Sequence, residues 1–256
     1  MTATRTTTAL CHATADDVVL RGRSLPRELV GNATFTEMIY FLLTGRDATP
    51  AQRTILDACL VTLMEHGLTP SAVATRLTYG SAPEAMQGAV AAGLLGVGSV
   101  FVGASETCAQ LLARITAAAD GPAEARAIVA ESKAAGTRLP GFGHPLHRPV
   151  DPRTVALFAL ARAQGAFGAH CTALEQLSAA VDAGAGRAIP VNATGAIAAL
   201  VLDAGLPAAI LRGIALISRC AGLVAHIREE QESPAMRQLW EAADAAVPYE
   251  ERKKQP

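Results

Sequence analysis

Aromatic side chains are scarce in this sequence, and runs of alternating β-branched residues are absent. Phe, Trp and Tyr together make up 4% of the 256 residues, although half of the residues are apolar. Strands rely on aromatic and β-branched side chains that pack on a pleated surface, whereas alanine loses no side-chain entropy in a helix. The composition therefore predicts an all-α protein, with enough apolar surface for one large domain or two small ones.

The sequence also lacks an excess of charge of either sign. Its formal net charge is −1, and acidic and basic residues are mixed along the chain. Nucleic-acid binding relies on a basic patch or stripe. We therefore expect no nucleic-acid partner, and we interpret the basic residues 252–254 as a solvated tail.

Cysteine pairs and a secretory leader are missing as well. The five cysteines are odd in number and form no C-x-x-C pair, which indicates reduced thiols and not a disulfide framework or a zinc site. The N-terminal residues lead into no apolar segment of the kind that a signal peptide contains. We expect a cytoplasmic protein without a metal site. The cysteines are Cys11, Cys59, Cys108, Cys171 and Cys220.

One uncharged stretch, residues 85–105, is long enough to span a bilayer. It contains five glycines, and its flanking charges are Glu84 and Glu106 instead of the lysines or arginines typical of membrane spans. We interpret it as a helix that is buried in a helical core and broken near residues 96–98. No membrane partner is expected.

Apolar periodicity and capping signals predict several helices. Apolar residues recur at i, i+4, i+7 and i+11 after Pro207, and Thr34 and Thr49 are candidate N-caps. Asp151-Pro152 marks another helix start, and Gly165 stands where that helix should end. The predicted helices span residues 35–43, 50–65, 83–95, 106–119, 123–135, 155–164 and 208–228.

Glycine and proline cluster in two segments, residues 139–145 and 184–190. Such clusters between helices form loops, and ordered loops on a rigid scaffold often carry chemistry. In the first segment glycines precede His144, an acid or base near neutral pH. Arg153, in the first turn of the next helix, can hold a carboxylate with its guanidinium fork.

Two other interpretations of this segment stay open on the residues alone. It can be a capped helix start that carries His147 and Arg148 on the surface. His144, His147 and Asp151 can also be read as metal ligands, although Pro145 works against a regular helical histidine pair.

Four landmarks in order resemble the citrate synthase family, and most closely its citryl-CoA lyases. Gly-Phe-Gly-His-Pro-Leu at residues 141–146, followed by Asp-Pro-Arg at 151–153, is similar to the family signature. Residues 218–226 resemble its late arginine helix, residues 34–45 its early helix, and residues 65–67 its second histidine segment. Four landmarks between residues 21 and 230 are far more specific than one motif.

The resemblance implies Claisen chemistry on CoA thioesters and assigns roles to the matching residues. His144 matches the histidine that handles the alcohol or ketone oxygen, and in a lyase it is expected to be the base. Arg153, Arg219 and His66 match groups that bind the substrate's carboxylates and hydroxyl, and His66 is counted with the catalytic residues. The turn that meets CoA matches Leu139, Pro140, Gly141, Phe142 and Gly143.

Two positions depart from the synthase pattern. Phe101 replaces the first catalytic histidine and cannot donate to a thioester oxygen; the lyase module of ATP-citrate lyase also has Phe there, which favours a lyase. Thr194 replaces the catalytic Asp, and a hydroxyl is no carboxylate base at neutral pH. Phe101 is assigned to substrate binding, and so is Asn192, which lies two residues before Thr194. Thr194 is assigned to catalysis.

The resemblance implies the family's two-domain helical fold, shortened at the N-terminus. A large domain, residues 1–104 with 202–256, would carry an inserted small domain, residues 105–201. The implied function is cleavage of citryl-CoA, or a close 3-hydroxy-3-carboxyacyl-CoA, to acetyl-CoA and oxaloacetate. CoA arrives as part of the substrate, no bound cofactor is expected, and the family's packing implies a homodimer or higher homo-oligomer.

Two alternatives belong to other classes of protein. One is a catalytically degraded relative that binds CoA or polycarboxylates as a sensor or partner subunit, which the threonine at position 194 supports. The other is a helical scaffold without a small-molecule ligand.

Overall fold

The computed structural model describes residues 6–98, 104–144 and 146–251. This part of the chain is mostly helical, which confirms the all-α prediction. Its α-helices are α1 Phe35–Thr44, α2 Pro50–Met64, α3 Pro70–Ser81, α4 Met86–Leu95, α5 Ala104–Ala117, α6 Gly121–Ala134, α7 Pro152–Ala163, α8 Ala169–Ala185, α9 Ala193–Asp203, α10 Leu211–Glu232 and α11 Met236–Ala246.

A small antiparallel sheet precedes α1 and was not predicted. It consists of β1 Cys11–Ala13, β2 Val18–Leu20 and β3 Arg23–Ser24, paired in that order. Strands of two or three residues are too short to show the alternation by which strands are recognised in a sequence.

The predicted helix starts at Thr34, Thr49 and Asp151 are confirmed, whereas the helix predicted from residue 208 begins as α10 only at Leu211. Thr34 and Glu37 form a reciprocal capping box at the start of α1. Thr49 and Gln52 exchange the same pair of bonds before α2, at 3.2 and 2.9 Å. Asp151 accepts the backbone N–H of Arg153 at the start of α7. Caps of this kind stabilise a helix by about 1 kcal/mol each, because they satisfy N–H groups that have no partner within the helix.

Four helices, α3, α8, α9 and α11, were missed. In α9 nearly every residue from Ala193 to Val201 is buried, so the helix has no polar face and no amphipathic period. The uncharged stretch 85–105 contains α4, which ends at Leu95 before Gly96 and Gly98, as predicted, but only Ala89 and Gly93 of this helix are buried. Part of that stretch, residues 99–103, lies outside the described residues.

One helical stretch, Ala208–Glu232, is long and apolar enough to cross a membrane by length and composition, and it is not the stretch flagged in the sequence. It comprises a short 3-10 turn, Ala208–Ile210, and α10. Core helices of soluble proteins pass the same test. Here α10 packs on α3 and α4, and its Arg212 pairs with Glu106 at 2.8 Å.

The chain divides into two compact units. Unit 1 comprises the described residues of Met1–Cys59 and Ala109–Ala208, and unit 2 those of Leu60–Cys108 and Ala209–Pro256. These bounds differ from those of the predicted domains. Residues 1–59 group with residues 109–208 here, whereas the prediction placed them in one domain with residues 60–104 and 202–256. Within unit 1, the Tyr40 hydroxyl and the Gln52 amide both donate to the carbonyl of Ala204, at 3.0 and 2.9 Å. The predicted domain division itself stays a prediction.

Each unit has its own packed interior. In unit 1, α8 packs on α6 and α9, and α7 packs on α9. In unit 2, α3 packs on α4, α10 and α11. A Cβ atom on Gly93 of α4 would lie 2.1 Å from Thr75 Oγ1 of α3, so glycine permits the close approach of these two helices.

Candidate functional site

In unit 1 the loop before His144 is fastened to the segment that leads into α9. Gly143 donates its backbone N–H to the carbonyl of Pro190 at 2.8 Å, and Asn192 donates its own to Gly141 at 3.0 Å. The side-chain amide of Asn192 also donates to the carbonyl of Gly143 at 2.9 Å. Gly141 and Gly143 have φ of +88° and +76°, a region that other residues adopt at a cost. The predicted CoA turn is therefore an ordered structure.

His144 is half-buried and its ring is oriented by its own loop. Nδ1 accepts the backbone N–H groups of Leu146 at 3.2 Å and His147 at 3.1 Å. The ring stacks on that of His147, with centroids 4.3 Å apart. An accepting Nδ1 places the proton of the neutral ring on Nε2. His144 therefore presents an N–H donor at Nε2.

Asp151, which the sequence marked as a helix start and as a candidate metal ligand, holds the guanidinium of Arg153. The carboxylate is fully buried and accepts Nε at 3.0 Å and Nη2 at 2.7 Å. Burial raises the pKa of this carboxyl, but the bonds from Arg153 outweigh burial, and its net pKa is lowered. The Nη1 atom of Arg153 takes no part in this pair, so the Nε side of the guanidinium is occupied by Asp151.

Asp151 also ties α7 to α9, because its Oδ2 accepts the backbone N–H of Ala193 at 3.2 Å. Asn192 is the N-cap of α9, and the half-buried Thr194 is the second residue of that helix. Unit 1 therefore joins Arg153, Asn192 and the 141–144 loop into one hydrogen-bonded cluster, and Thr194 lies two residues after Asn192 on α9.

The cluster borders a cavity of about 810 Å³ in unit 1, which both glycine-rich loops line. Leu139, Phe142, Gly143 and His144 contribute from the first loop. None of the described lining residues is acidic, and four are basic. The basic residues are Lys133, Arg138, Arg148 and Arg187. Sequence reasoning missed these four, although Arg138 and Arg148 flank the first loop and Arg187 lies in the second.

The other predicted residues belong to unit 2. His66 is exposed in the turn after α2, and Arg219 is half-buried on α10. The Nη1 atom of Arg219 is buried without a hydrogen-bond partner among the described residues. Burial lowers the pKa of Arg219, and the nearby carboxylate of Glu65 partly offsets that effect. Phe101, the remaining predicted residue, lies outside the described residues.

No metal site forms among the described residues: they contain no group of three or more His, Cys, Asp or Glu side chains placed to hold an ion. The alternative with His144, His147 and Asp151 fails for a local reason. The two histidine rings stack, while Asp151 is committed to Arg153 and the backbone. Three ligands around one ion require a different arrangement.

The family can be assigned from sequence. Residues 44–239 match the family model for the citrate synthase C-terminal domain, which is more than half of the chain. The chain therefore belongs to the citrate synthase family.

Similar proteins include lyases and synthases. The structure of citryl-CoA lyase from Hydrogenobacter thermophilus is 30% identical, with 98% of this chain and 97% of that chain covered and a TM-score of 0.86. ATP citrate lyase from Methanosaeta concilii shares the fold, with a TM-score of 0.80 at 18% identity over 99% of this chain and 43% of that chain. Putative citrate synthase 2 of Mycobacterium tuberculosis is 29% identical over 81% of this chain and 56% of its own length. The chain spans about half the length of the curated relatives it matches.

Proposed function

We propose that this chain is a carbon–carbon lyase that cleaves citryl-CoA, or a close 3-hydroxy-3-carboxyacyl-CoA, to acetyl-CoA and oxaloacetate. The observation that carries the proposal is the basic cavity beside His144. Similarity to the citryl-CoA lyase of Hydrogenobacter thermophilus over nearly the full length of both chains adds support.

The cavity suits the CoA part of such a substrate. Its volume of about 810 Å³ is in the range of cofactor sites. CoA carries several phosphate charges, and lysine and arginine side chains bind phosphate oxygens through charge-assisted hydrogen bonds. Leu139 and Phe142 add apolar surface next to these cations, and Gly143 adds exposed backbone. A flat adenine can approach the backbone of glycine more closely than that of any other residue, because glycine has no Cβ atom.

The acyl part requires groups that bind carboxylates. Arg219 has a buried N–H group in need of an acceptor, and an unsatisfied buried donor is costly. Arg153 is pre-oriented by Asp151, with Nη1 outside that pair. Fixed arginines lose little entropy when a carboxylate binds. We therefore assign Arg153 and Arg219 to carboxylates, His66 and Asn192 to orientation of the substrate, and Phe101 to contact with it.

In the cleavage direction, the tertiary hydroxyl gives its proton to His144, and the C–C bond breaks with its electron pair on the acetyl fragment. The resulting enolate takes a proton from the water that Thr194 holds and becomes acetyl-CoA, and His144 returns its proton to the hydroxide that is left. We place His144 at the hydroxyl oxygen. The backbone bonds at Nδ1 favour the form with a proton on Nε2, which stabilises negative charge on that oxygen. To act as the base, His144 must adopt the other tautomer. Thr194 or a water that it holds is assigned to the enolate.

A second candidate is binding of CoA or polycarboxylates without cleavage. Two observations favour it: Thr194 stands where a carboxylate base is expected, and the Nε2 atom of His144 is a donor in the neutral ring. Replacement Thr194→Asp separates the candidates. A large gain in acetyl-CoA release indicates a degraded site, whereas a loss indicates that the threonine is adapted to the lyase reaction, which is the result we expect.

The direct experiment mixes the purified chain with chemically prepared citryl-CoA and quantifies acetyl-CoA and oxaloacetate. Equal amounts of both products, above the uncatalysed rate, support the lyase. CoA binding without either product supports the second candidate. The proposal also includes a cytoplasmic homodimer or higher homo-oligomer that uses CoA only as part of its substrate, and light scattering measures the mass in solution.

A further inference from the structure

The carboxylate of Glu65 closes the turn that carries His66. Its Oε1 accepts the backbone N–H groups of His66 at 2.8 Å and Gly67 at 2.6 Å. Gly67 has a φ of +74°, so the chain reverses directly after α2. The carboxylate of Glu65 therefore helps to fix the backbone position of His66.

The same carboxylate contacts α10. Its Oε2 lies 3.0 Å from Nε2 of His226. A Cβ on Gly222 would lie 2.0 Å from the carbonyl of Met64 and 3.0 Å from Oε2 of Glu65, so the glycine permits α10 to touch the end of α2. Arg219, one turn before Gly222, interacts electrostatically with Glu65. Glu65 thus contacts His226, and its charge acts on Arg219, which lies on the same face of α10.

His226 is itself fixed from the opposite side. Its Nδ1 accepts Nε of Arg76 at 3.0 Å, so the proton of its neutral ring lies on Nε2, towards Glu65. Arg76 and His226 are 4% and 8% exposed. Arg76 is held in turn by the buried Glu230 at 2.9 Å. The buried bonds among Arg76, His226 and Glu230 fix the ring of His226. Glu65, whose side chain is 43% exposed, lies within ion-pair distance of the Nε2 edge of that ring.

We propose that Glu65 is a positioning residue that sets both His66 and Arg219 for the carboxylates of the substrate, and that His226 and Arg76 hold Glu65 in place. This rests on the proposed function, in which His66 and Arg219 bind substrate. Glu65 is not assigned to the substrate, but it acts on His66 and Arg219, which are. The network gives this carboxylate a role in the site. Both effects act on binding of the substrate, so they should appear in KM more than in kcat.

Three variants isolate the network. In Glu65→Gln an amide N–H₂, which cannot accept a hydrogen bond, replaces one carboxylate oxygen. Either Nε2 of His226 or the backbone N–H groups of His66 and Gly67 then no longer face an acceptor. His226→Leu removes both ring nitrogens at similar volume. His226→Gln keeps an acceptor for Arg76 and a donor for Glu65. Glu232→Gln is the matched control, because Glu232 lies on the same helix in an exposed pair with Arg228.

We expect Glu65→Gln and His226→Leu to raise KM for citryl-CoA about 10-fold while kcat changes less than about 3-fold. His226→Gln should restore KM to within about 3-fold of the original chain, and the control should match it. Isothermal titration with citrate should show the same order of affinities.

Equal losses in His226→Gln and His226→Leu, or a fall in kcat and thermal stability at constant KM and citrate affinity, overturn the inference and leave a merely structural network. If the original chain releases no acetyl-CoA and binds no citrate, the proposed function fails, and the inference fails with it. If the original chain is active and the variants keep its KM, the inference alone fails.

Discussion

Asp151 and Arg153 form a two-point ion pair within one turn of chain, with Nε 3.0 Å from Oδ1 and Nη2 2.7 Å from Oδ2. The carboxylate has no exposed surface, while the arginine side chain keeps 27% of its own. A partly exposed cation that is fixed by a buried anion is a prepared binding group, because its orientation is settled before a ligand arrives. The same carboxylate also receives the backbone of Ala193, so it orients Arg153 and α9 together.

Asp151→Asn should destabilise the protein by about 3 kcal/mol, because it leaves Arg153 without its buried counter-charge. Urea unfolding followed by circular dichroism measures this, with Glu232→Gln as the control on an exposed pair. A loss below about 0.5 kcal/mol would show that the pair does not hold this part of unit 1.

The same pair predicts a pH dependence. The pKa of Asp151 is lowered in the folded state, so its contribution is complete above the ordinary value of 3.8 and is lost as the pH falls from there through the lower folded-state pKa. In Asp151→Asn this part of the acid destabilisation should be missing. Unfolding free energies measured between pH 2 and pH 6 test it, and parallel curves for the two chains below pH 4 would contradict it.

Gly195→Ala should displace the loop of His144. The added Cβ would lie 2.7 Å from the carbonyl oxygen of Gly141. That oxygen belongs to the backbone, so it cannot rotate away as the end of a side chain could. We expect a loss of about 2 kcal/mol in unfolding free energy. Gly88→Ala is the control, since its Cβ meets only Ala85 at 3.7 Å within α4, and alanine there should leave stability equal or higher. Equal behaviour of the two variants would contradict the close contact.

Removal of one cavity cation, in Arg138→Ala or Arg187→Ala, should weaken CoA binding about 10-fold, because each loses a charge-assisted bond to phosphate. The effect should shrink as salt rises from 50 to 200 mM. Isothermal titration with CoA measures it, and Arg228→Ala, an exposed arginine on α10, is the control. If Arg138→Ala and Arg187→Ala bind CoA as tightly as the control, the cavity is not the CoA site.

Thiol reactivity should follow burial. Cys59 and Cys108 are buried, and burial raises the pKa of each to about 12. Cys11 is exposed. At pH 8 iodoacetamide should therefore label Cys11 first and leave the two buried thiols intact until the chain is unfolded. Peptide mass spectrometry reads the order, and early labelling of Cys59 or Cys108 would contradict the packing of α2 and α5.

Local signals in the sequence were sufficient for part of the fold. Thr34 and Asp151 cap helices within three residues, so their role depends on neighbours that can be read directly. The buried helix α9 could not be found in this way, because an alanine-rich helix without a polar face has no period. The strands before α1 are too short to alternate.

The candidate site shows the same division. The motif around His144 was recognisable because its residues are contiguous in the chain. The cavity cations lie on segments up to about 50 residues apart, and only the fold gathers Lys133 and Arg187 around one space. Glu65 was noted as part of a motif, but its partner His226 is remote in sequence, as is the bond from Arg76 that orients His226. Contacts of this range depend on tertiary packing.

The central claim is that His144 serves cleavage of citryl-CoA, and the most direct measurement is acetyl-CoA release by the original chain, by His144→Ala and by His12→Ala. His12 is an exposed histidine of β1, so its replacement controls for the loss of an imidazole. We expect His144→Ala to lower release at least about 100-fold while CoA still binds, and His12→Ala to leave it unchanged. Release that survives in His144→Ala, or no release by any of the three, would contradict the account.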